Sequence, residues 1–351
     1  IYGMNEKNKE IYYQSVEFGS TNRVIFSLAL KGKKKRVLAF KSGFNGATFS
    51  ADKSYFIHSY SDEQTPPKYA LYDSKKGKKI RDLLNNETLK TKYLNKKLPW
   101  REFSTINING ESLNVYLLKP ADFDPSKKYP VLLYQYSGPG SQEVSNRWGD
   151  TRDLWHKMLT QKGFIVACVD GRGTGFKGAA FKKATYLNLV KYETLDQIAF
   201  AKKLAEMPFI DSKRIGIWGW SFGGHMASHC LLTANDTFAM AVAVAPVTNW
   251  RFYDTIYTER FMRTPQENPS GYDLNSPLNY AEQLKGKYLI IHGSGDDNVH
   301  VQNTLRMVEA LVQANKQFEW MIYPDKNHGI YGGNTQNHLY TKMTNFIIEN
   351  L

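Results

Sequence analysis

Three observations predict an α/β fold preceded by a strand-rich region. From Tyr129 onward, apolar runs of strand length alternate with segments of helical periodicity. The segment Gly219-Trp220-Ser221-Phe222-Gly223-Gly224 lies between the apolar run Arg214-Ile215-Gly216-Ile217-Trp218 and a small, apolar-patterned run from His225 to Leu232. Before residue 95, two lysine-glycine turns recur with similar flanking strands, Gly32 and Gly77 being 45 positions apart. Strict alternation implies a mostly parallel sheet with helices on both faces. Strand, sharp turn and helix with serine at the apex describe the nucleophile elbow of an α/β-hydrolase fold. A period of 45 residues suits a four-stranded β-propeller blade. The expected architecture is the last blades of a β-propeller over residues 1–95, then an α/β-hydrolase domain over residues 96–351. Two blades are too few to close a propeller, so the first region reads as the tail of a longer array.

The elements follow in order. Residues 27–38 and 71–83 each read as strand, turn, strand, and a polar connector spans 84–97. Residues 103–118 read as a hairpin with Asn109-Gly110 at its turn, a dipeptide that accepts two successive positive φ angles. Strands are expected at 130–136, 164–170, 214–219, 240–245, 288–292 and 318–323. Helices are expected at 152–162, 195–206, 221–234, 301–314 and 334–350. In the helix from Leu195, the apolar residues Ile198, Ala199 and Leu204 are predicted to face inward. Functional loops of such a sheet gather at its carboxyl edge.

Composition narrows the function classes. The chain has 351 residues, enough for two domains, and a formal net charge of +13. Much of that charge sits in two clusters, 31–36 and 75–79, at the expected hairpin tips, where solvent takes it up. No aromatic residues interleave with the basic ones, so nucleic acid is not an expected partner. The two cysteines, Cys168 and Cys230, fall in apolar segments and read as free and buried, so no disulfide framework is expected. The longest apolar run, 238–247, is too short to span a bilayer.

A serine hydroxyl becomes a nucleophile only when a base takes its proton and a third group orients that base. In an α/β-hydrolase the order is nucleophile, acid, histidine, each just past a strand. Ser221 takes the first place; the flanking glycines favour an elbow over an ordinary N-cap serine. The run Lys287 to His292 leads into Gly293-Ser294-Gly295-Asp296-Asp297-Asn298. The run Gln317 to Tyr323 leads into Pro324-Asp325-Lys326-Asn327-His328. His328 is the expected base. Asp296, Asp297 and Asp325 compete for the acid, and position at the strand end favours Asp296. His225 and His229 have zinc-like spacing, but no Glu follows His225 and no third ligand is evident. Packing is expected of them, and neither metal nor cofactor is implied. His292 ends a strand and reads as structural.

Taken with Tyr136-Ser137-Gly138-Pro139-Gly140-Ser141-Gln142, Asp170-Gly171-Arg172-Gly173, Pro246-Val247-Thr248-Asn249-Trp250, Tyr257-Thr258-Glu259-Arg260 and Asp296-Asp297-Asn298-Val299, the chain resembles the dipeptidyl peptidase IV branch of the prolyl oligopeptidase family. The resemblance covers nearly the whole chain and selects Asp296 as the acid. It implies that the Tyr136 hydroxyl and the Phe222 N–H form the oxyanion hole. Val247, Trp250, Tyr253, Tyr257 and Val299 would line a proline pocket, and Asn298 would hold the carbonyl of the substrate's first residue. Phe222 departs from the tyrosine common in the branch. Arg172 and Glu259 would support the site. The resemblance further implies a serine exopeptidase releasing X-Pro and X-Ala dipeptides through an acyl-enzyme, a homodimeric full-length protein, and a periplasmic or cell-surface location. The glutamate pair and arginine that grip the substrate amine in the branch would lie upstream of Ile1. The rival expectation is a prolyl endopeptidase or acylaminoacyl peptidase on the same scaffold.

Overall fold

Gly32 and Gly77 adopt left-handed backbone angles, φ 71° and 63°, at the tips of two hairpins. Only a residue without Cβ takes such angles at no steric cost, which explains the recurring lysine-glycine turns. The computed structural model describes residues 1–351. It divides into one unit comprising Ile1–Arg101 with Val144–Lys157 and another comprising Glu102–Glu143 with Met158–Leu351.

In the first unit, β1 (Gly3–Asn5), β2 (Glu10–Ser15), β3 (Val24–Ala29) and β4 (Lys35–Ala39) form an antiparallel sheet in sequence order. β5 (Phe44–Phe49), β6 (Tyr55–Asp62), β7 (Thr65–Asp73) and β8 (Lys78–Leu84) repeat it. Each glycine turn closes the last hairpin of its sheet, so the 45-residue period is one four-stranded blade. Tyr12, Ile25, Leu38, Ala39 and Phe56 form a small shared core. The lysine clusters lie exposed at the tips, as expected.

The connector expected at 84–97 holds a helix instead, α1 (Glu87–Asn95). None of its residues is fully buried, so no apolar stripe announces it. Rings hold it: Tyr93 stacks on Trp100 at 4.9 Å and meets Trp148 at 4.6 Å. Lys157 lies 4.9 Å above Tyr93 and 4.7 Å above Trp100, a desolvated cation on two π faces. Glu63 accepts from Lys157 Nζ at 3.1 Å and from Arg101, and all three side chains are buried.

The second unit begins with the predicted hairpin, β9 (Glu102–Ile108) and β10 (Glu111–Leu118). Asn109 and Gly110 at its turn have φ 53° and 82°. β11 (Tyr129–Tyr134), α2 (Thr151–Thr160), which also contributes to the first unit, β12 (Ile165–Asp170), α3 (Ala179–Lys183), α4 (Lys191–Ala205), β13 (Ile210–Trp220), α5 (Phe222–Thr233) and β14 (Met240–Val244) follow. After them come α6 (Thr255–Met262), α7 (Pro269–Leu274), β15 (Lys287–Gly293), α8 (Gln302–Gln313), β16 (Glu319–Tyr323) and α9 (Thr335–Asn350).

The eight strands order as β16-β15-β14-β13-β11-β12-β10-β9. Six are parallel; β9 and β10 join antiparallel at one edge, so the sheet is mixed. Every residue of β11, β12 and β14 is buried. Strands covered on both faces read as continuous apolar runs, which is why they were legible. β12 and β13 flank β11 on opposite sides, so the strand order reverses there and opens a crevice at the carboxyl edge.

One inward face differs from expectation. Leu204 is buried, but Ile198 and Ala199 are only partly covered, and Leu195 is 47% exposed. The inner surface of α4 begins instead with Glu193, Thr194, Asp196 and Gln197. Two of these polar groups are satisfied there: Asp196 by Arg172, and Gln197 Nε2 by the Val169 carbonyl at 3.1 Å. A polar inward face defeats a rule that ranks positions by hydrophobicity.

Candidate active site

β13 delivers Ser221 to the head of α5 with φ 62° and ψ −117°, a conformation that L-residues rarely adopt. The strain is held by neighbours. The Ser221 N–H donates to the Val244 carbonyl at 2.8 Å. A Cβ on Gly219 would meet the Gly223 oxygen at 2.4 Å, and one on Gly223 would meet the Gln135 oxygen at 2.6 Å. Glycine at both positions is therefore a requirement of close backbone approach. Gln135, at the end of β11, donates through Nε2 to the Gly223 carbonyl at 2.7 Å and locks that strand end to the elbow.

The next residue along, Tyr136, has its hydroxyl beside Ser221. Burial and the charge of Glu143 push the phenol above its ordinary range, while the nearby Ser221 hydroxyl opposes them. The hydroxyl thus stays protonated at neutral pH, as a donor must. Phe222 opens α5, so its backbone N–H is one of the unpaired donors at a helix start.

Asp296 and His328 come from the loops after β15 and β16. Asp296 Oδ2 accepts from His328 Nδ1 at 2.7 Å, which leaves Nε2 as the nitrogen free to receive a proton. Asp296 Oδ1 accepts the N–H groups of Asn298 at 3.0 Å and Val299 at 2.9 Å. Burial raises the Asp296 pKa. Hydrogen bonds from His292 and His328, the charge of His328 and the Asn298 N–H outweigh it and hold the carboxyl well below the usual range. Asp297 and Asp325, the other candidate acids, are exposed. Trp220 donates from Nε1 to the His328 carbonyl at 3.0 Å, tying the residue before the serine to the histidine loop.

A cluster of rings adjoins the serine. Phe222 lies 6.0 Å from Tyr136 and 5.3 Å from Trp250. Trp250 stacks with Tyr257 at 6.0 Å and meets Tyr253 edge-on at 6.0 Å, and Tyr253 and Tyr257 are 5.5 Å apart. Val247 and Val299 are buried in the same apolar cluster. Tyr253 donates its hydroxyl to Asn298 Oδ1 at 2.7 Å. The rings and valines singled out from the sequence pack together beside Phe222, and Asp296 joins His328 to the Val299 end of that cluster.

The remaining histidines sort by packing. His225 stacks beneath Trp250 at 5.3 Å and donates from Nε2 to the Asn275 carbonyl at 2.9 Å. His229 pairs with Thr194 at 3.1 Å. Arg172 engages Asp196 through its side chain and its backbone N–H at 2.8 Å, fixing the loop after β12 against α4. Glu259 lies on α6, two residues beyond Tyr257.

Three contributors escaped sequence reasoning: Gln135, Asp196 and His292. Gln135 stands directly before the motif tyrosine, so adjacency was an available signal. Asp196 had none, because its partner lies 24 positions away. His292 is fully buried and reaches Asp296 Oδ2 through Nε2 at 3.2 Å, where a strand-end position had suggested a structural residue.

Comparison with known proteins adds a lineage. A model of the prolyl oligopeptidase family matches residues 152–351, and a model of the dipeptidyl peptidase IV N-terminal region matches residues 1–67. A probable dipeptidyl-aminopeptidase B of Phaeosphaeria nodorum is 39% identical over 345 residues, covering 96% of this chain and 38% of its own length. Its counterpart from Pyrenophora teres f. teres is 40% identical over 349 residues, covering 98% of this chain and 38% of its own. The crystal structure of Porphyromonas gingivalis dipeptidyl peptidase 4 matches all of this chain and 49% of that one, with TM-score 0.96 and 46% identity. The chain thus spans less than half the length of the relatives it matches.

Proposed function

The chain belongs to the prolyl oligopeptidase family, and from that premise we propose that it is the catalytic portion of a serine exopeptidase releasing X-Pro, and less readily X-Ala, dipeptides from peptide N-termini. Ser221 Oγ attacks the carbonyl carbon of the proline residue, and the bond to the next residue's nitrogen breaks. His328 takes the serine proton on Nε2 and passes it to the departing amine, while Asp296 keeps the imidazole in the tautomer that permits this. The Tyr136 hydroxyl and the Phe222 N–H donate to the oxygen on which negative charge develops. An acyl-enzyme forms, and water, deprotonated by the same histidine, releases it.

The observation that carries this reading is the ring cluster joined to the elbow. Phe222, Trp250, Tyr253 and Tyr257 form a connected set of ring faces beside the nucleophile. Proline is rigid, apolar and has no N–H to satisfy, so its ring fits there without stranding a donor. Names of relatives such as dipeptidyl-aminopeptidase B support the exopeptidase reading over an endopeptidase.

The test is hydrolysis of Gly-Pro-p-nitroanilide beside its N-blocked counterpart, by the full-length protein and by this chain, with Ser221→Ala as control. Cleavage of the free-amine substrate alone is expected. Equal cleavage of the blocked substrate would replace the dipeptidyl reading with an endopeptidase or a broader acyl hydrolase.

A further inference from the structure

Asp296 serves two imidazoles. His328 Nδ1 reaches Oδ2 at 2.7 Å from the exposed side, and His292 Nε2 reaches the same oxygen at 3.2 Å from the core. His292 Nε2 also lies 2.8 Å from the Val299 carbonyl, while Nδ1 meets the Thr304 hydroxyl at 2.7 Å on α8. A carbonyl can only accept, so Nε2 carries the hydrogen: it donates to Val299, and the Asp296 oxygen 3.2 Å away takes the second, weaker share of it. We propose that His292 is a positioning residue for the triad: through its shared N–H it withdraws electron density from the Asp296 oxygen that His328 uses.

The direction of its effect follows from geometry. Two backbone N–H groups already fix Asp296 Oδ1, so the carboxylate keeps its orientation when His292 is replaced. What changes is the charge on Oδ2. With one donor instead of two, that oxygen stabilises a protonated His328 more strongly, and the base becomes harder to deprotonate. Reactivity of Ser221 needs neutral His328, so its acid limb moves to higher pH. The titratable groups facing the pair are His292, Asp296, His328 and Tyr253. Burial first, then the charges of Asp254, Tyr136 and Asp296, push Tyr253 up to about 12, so it stays neutral through this range. Asp297, Asp325 and Lys326, on the flanking loops, are unchanged in every variant.

The inference rests on the serine-nucleophile reading but not on dipeptide specificity. The measurement is therefore the pH dependence of Ser221 labelling by a fluorophosphonate, on the full-length protein, with Gly-Pro-p-nitroanilide kcat/KM alongside. Absence of wild-type labelling would sink the nucleophile assignment itself. Labelling without Gly-Pro turnover would sink only the specificity. In His292→Leu the acid limb is expected to rise by roughly half to one pH unit. In His292→Gln, whose amide N–H stands where Nε2 stood, it is expected to return toward the wild-type position. A limb unmoved in His292→Leu, with labelling lost only in step with folded fraction, overturns the proposal, as does a glutamine variant shifted as far as the leucine one. Should His292→Leu fail to fold, Thr304→Val carries the test. It releases the other face of the ring, and a smaller shift in the same direction is expected; an unmoved limb overturns the inference.

Discussion

At the scale of single residues, Tyr136 shows how a side chain is readied for one moment of a reaction. Its hydroxyl lies beside Ser221 in the resting protein, and burial keeps it protonated. If it serves the developing oxyanion, Tyr136→Phe removes a donor used in the transition state and little of the ground-state binding. The expected result is a fall in kcat of about 10²–10³-fold with KM changed far less. Steady-state kinetics on a proline p-nitroanilide decides it; a variant altered mainly in KM would assign the tyrosine to substrate binding. Much of this was legible in sequence. Ser221 announced itself through glycines that the elbow's close approaches require. Gln135 and His292 did not, since their partners are 88 and 4 positions away and no spacing rule connects such pairs.

At the scale of elements, α5 carries more than the serine. Its residues 222–232 are all buried, and His225 and His229 lie on it without contact to solvent. Burial holds His225 down to about 4, opposed by its bond to the Asn275 carbonyl, and burial plus the neighbouring His225 hold His229 down to about 3. In the unfolded chain both titrate near the ordinary histidine value, about 6.5. The unfolded state therefore binds these protons first. The stability they confer is fully present above about pH 6.5 and is lost as pH falls toward the folded values. His229→Leu removes one such proton, so between pH 6 and 4 its unfolding free energy should fall less steeply than that of wild type, by about 1.4 kcal/mol per pH unit. Urea unfolding at several pH values checks this; parallel profiles would mean that His229 is not a buried neutral group. α1 offers the contrasting case, an element no periodicity signalled because aromatic rings outside the helix hold it.

At the scale of the whole molecule, the two units are stabilised by different means. The second has a large continuous apolar cluster against one face of its sheet, and its central strands are buried on both faces. The first has a small one and adds the buried cluster of Glu63, Arg101 and Lys157. Burial lowers the Lys157 pKa, and the charge and hydrogen bond of Glu63 oppose it. Glu63→Gln keeps the volume but takes from Lys157 its paired carboxylate and leaves Arg101 the longer Asp153 contact at 3.5 Å. A loss of about 3–5 kcal/mol is expected by chemical denaturation. Removing the exposed Glu17 partner of Lys35 should change stability little, because solvent screens that pair. Equal effects of the two substitutions would count against the buried cluster as a source of stability.

What the sequence determined by itself was set by local geometry and by continuous burial. Glycines mark backbone that no other residue can follow. Parallel strands covered on both faces cannot hide among polar ones, and the 45-residue turn period records a repeated blade. The order of serine, acid and histidine along the chain was readable for the same reason, since each stands just past a strand. Tertiary structure alone decided that α4 turns Asp196 and Gln197 inward and that His292 shares the acid with the base. These outcomes depend on partners brought together by the sheet. Asp196 and Gln197 find their hydrogen bonds on segments 24 and 28 positions away, and no local pattern encodes those segments.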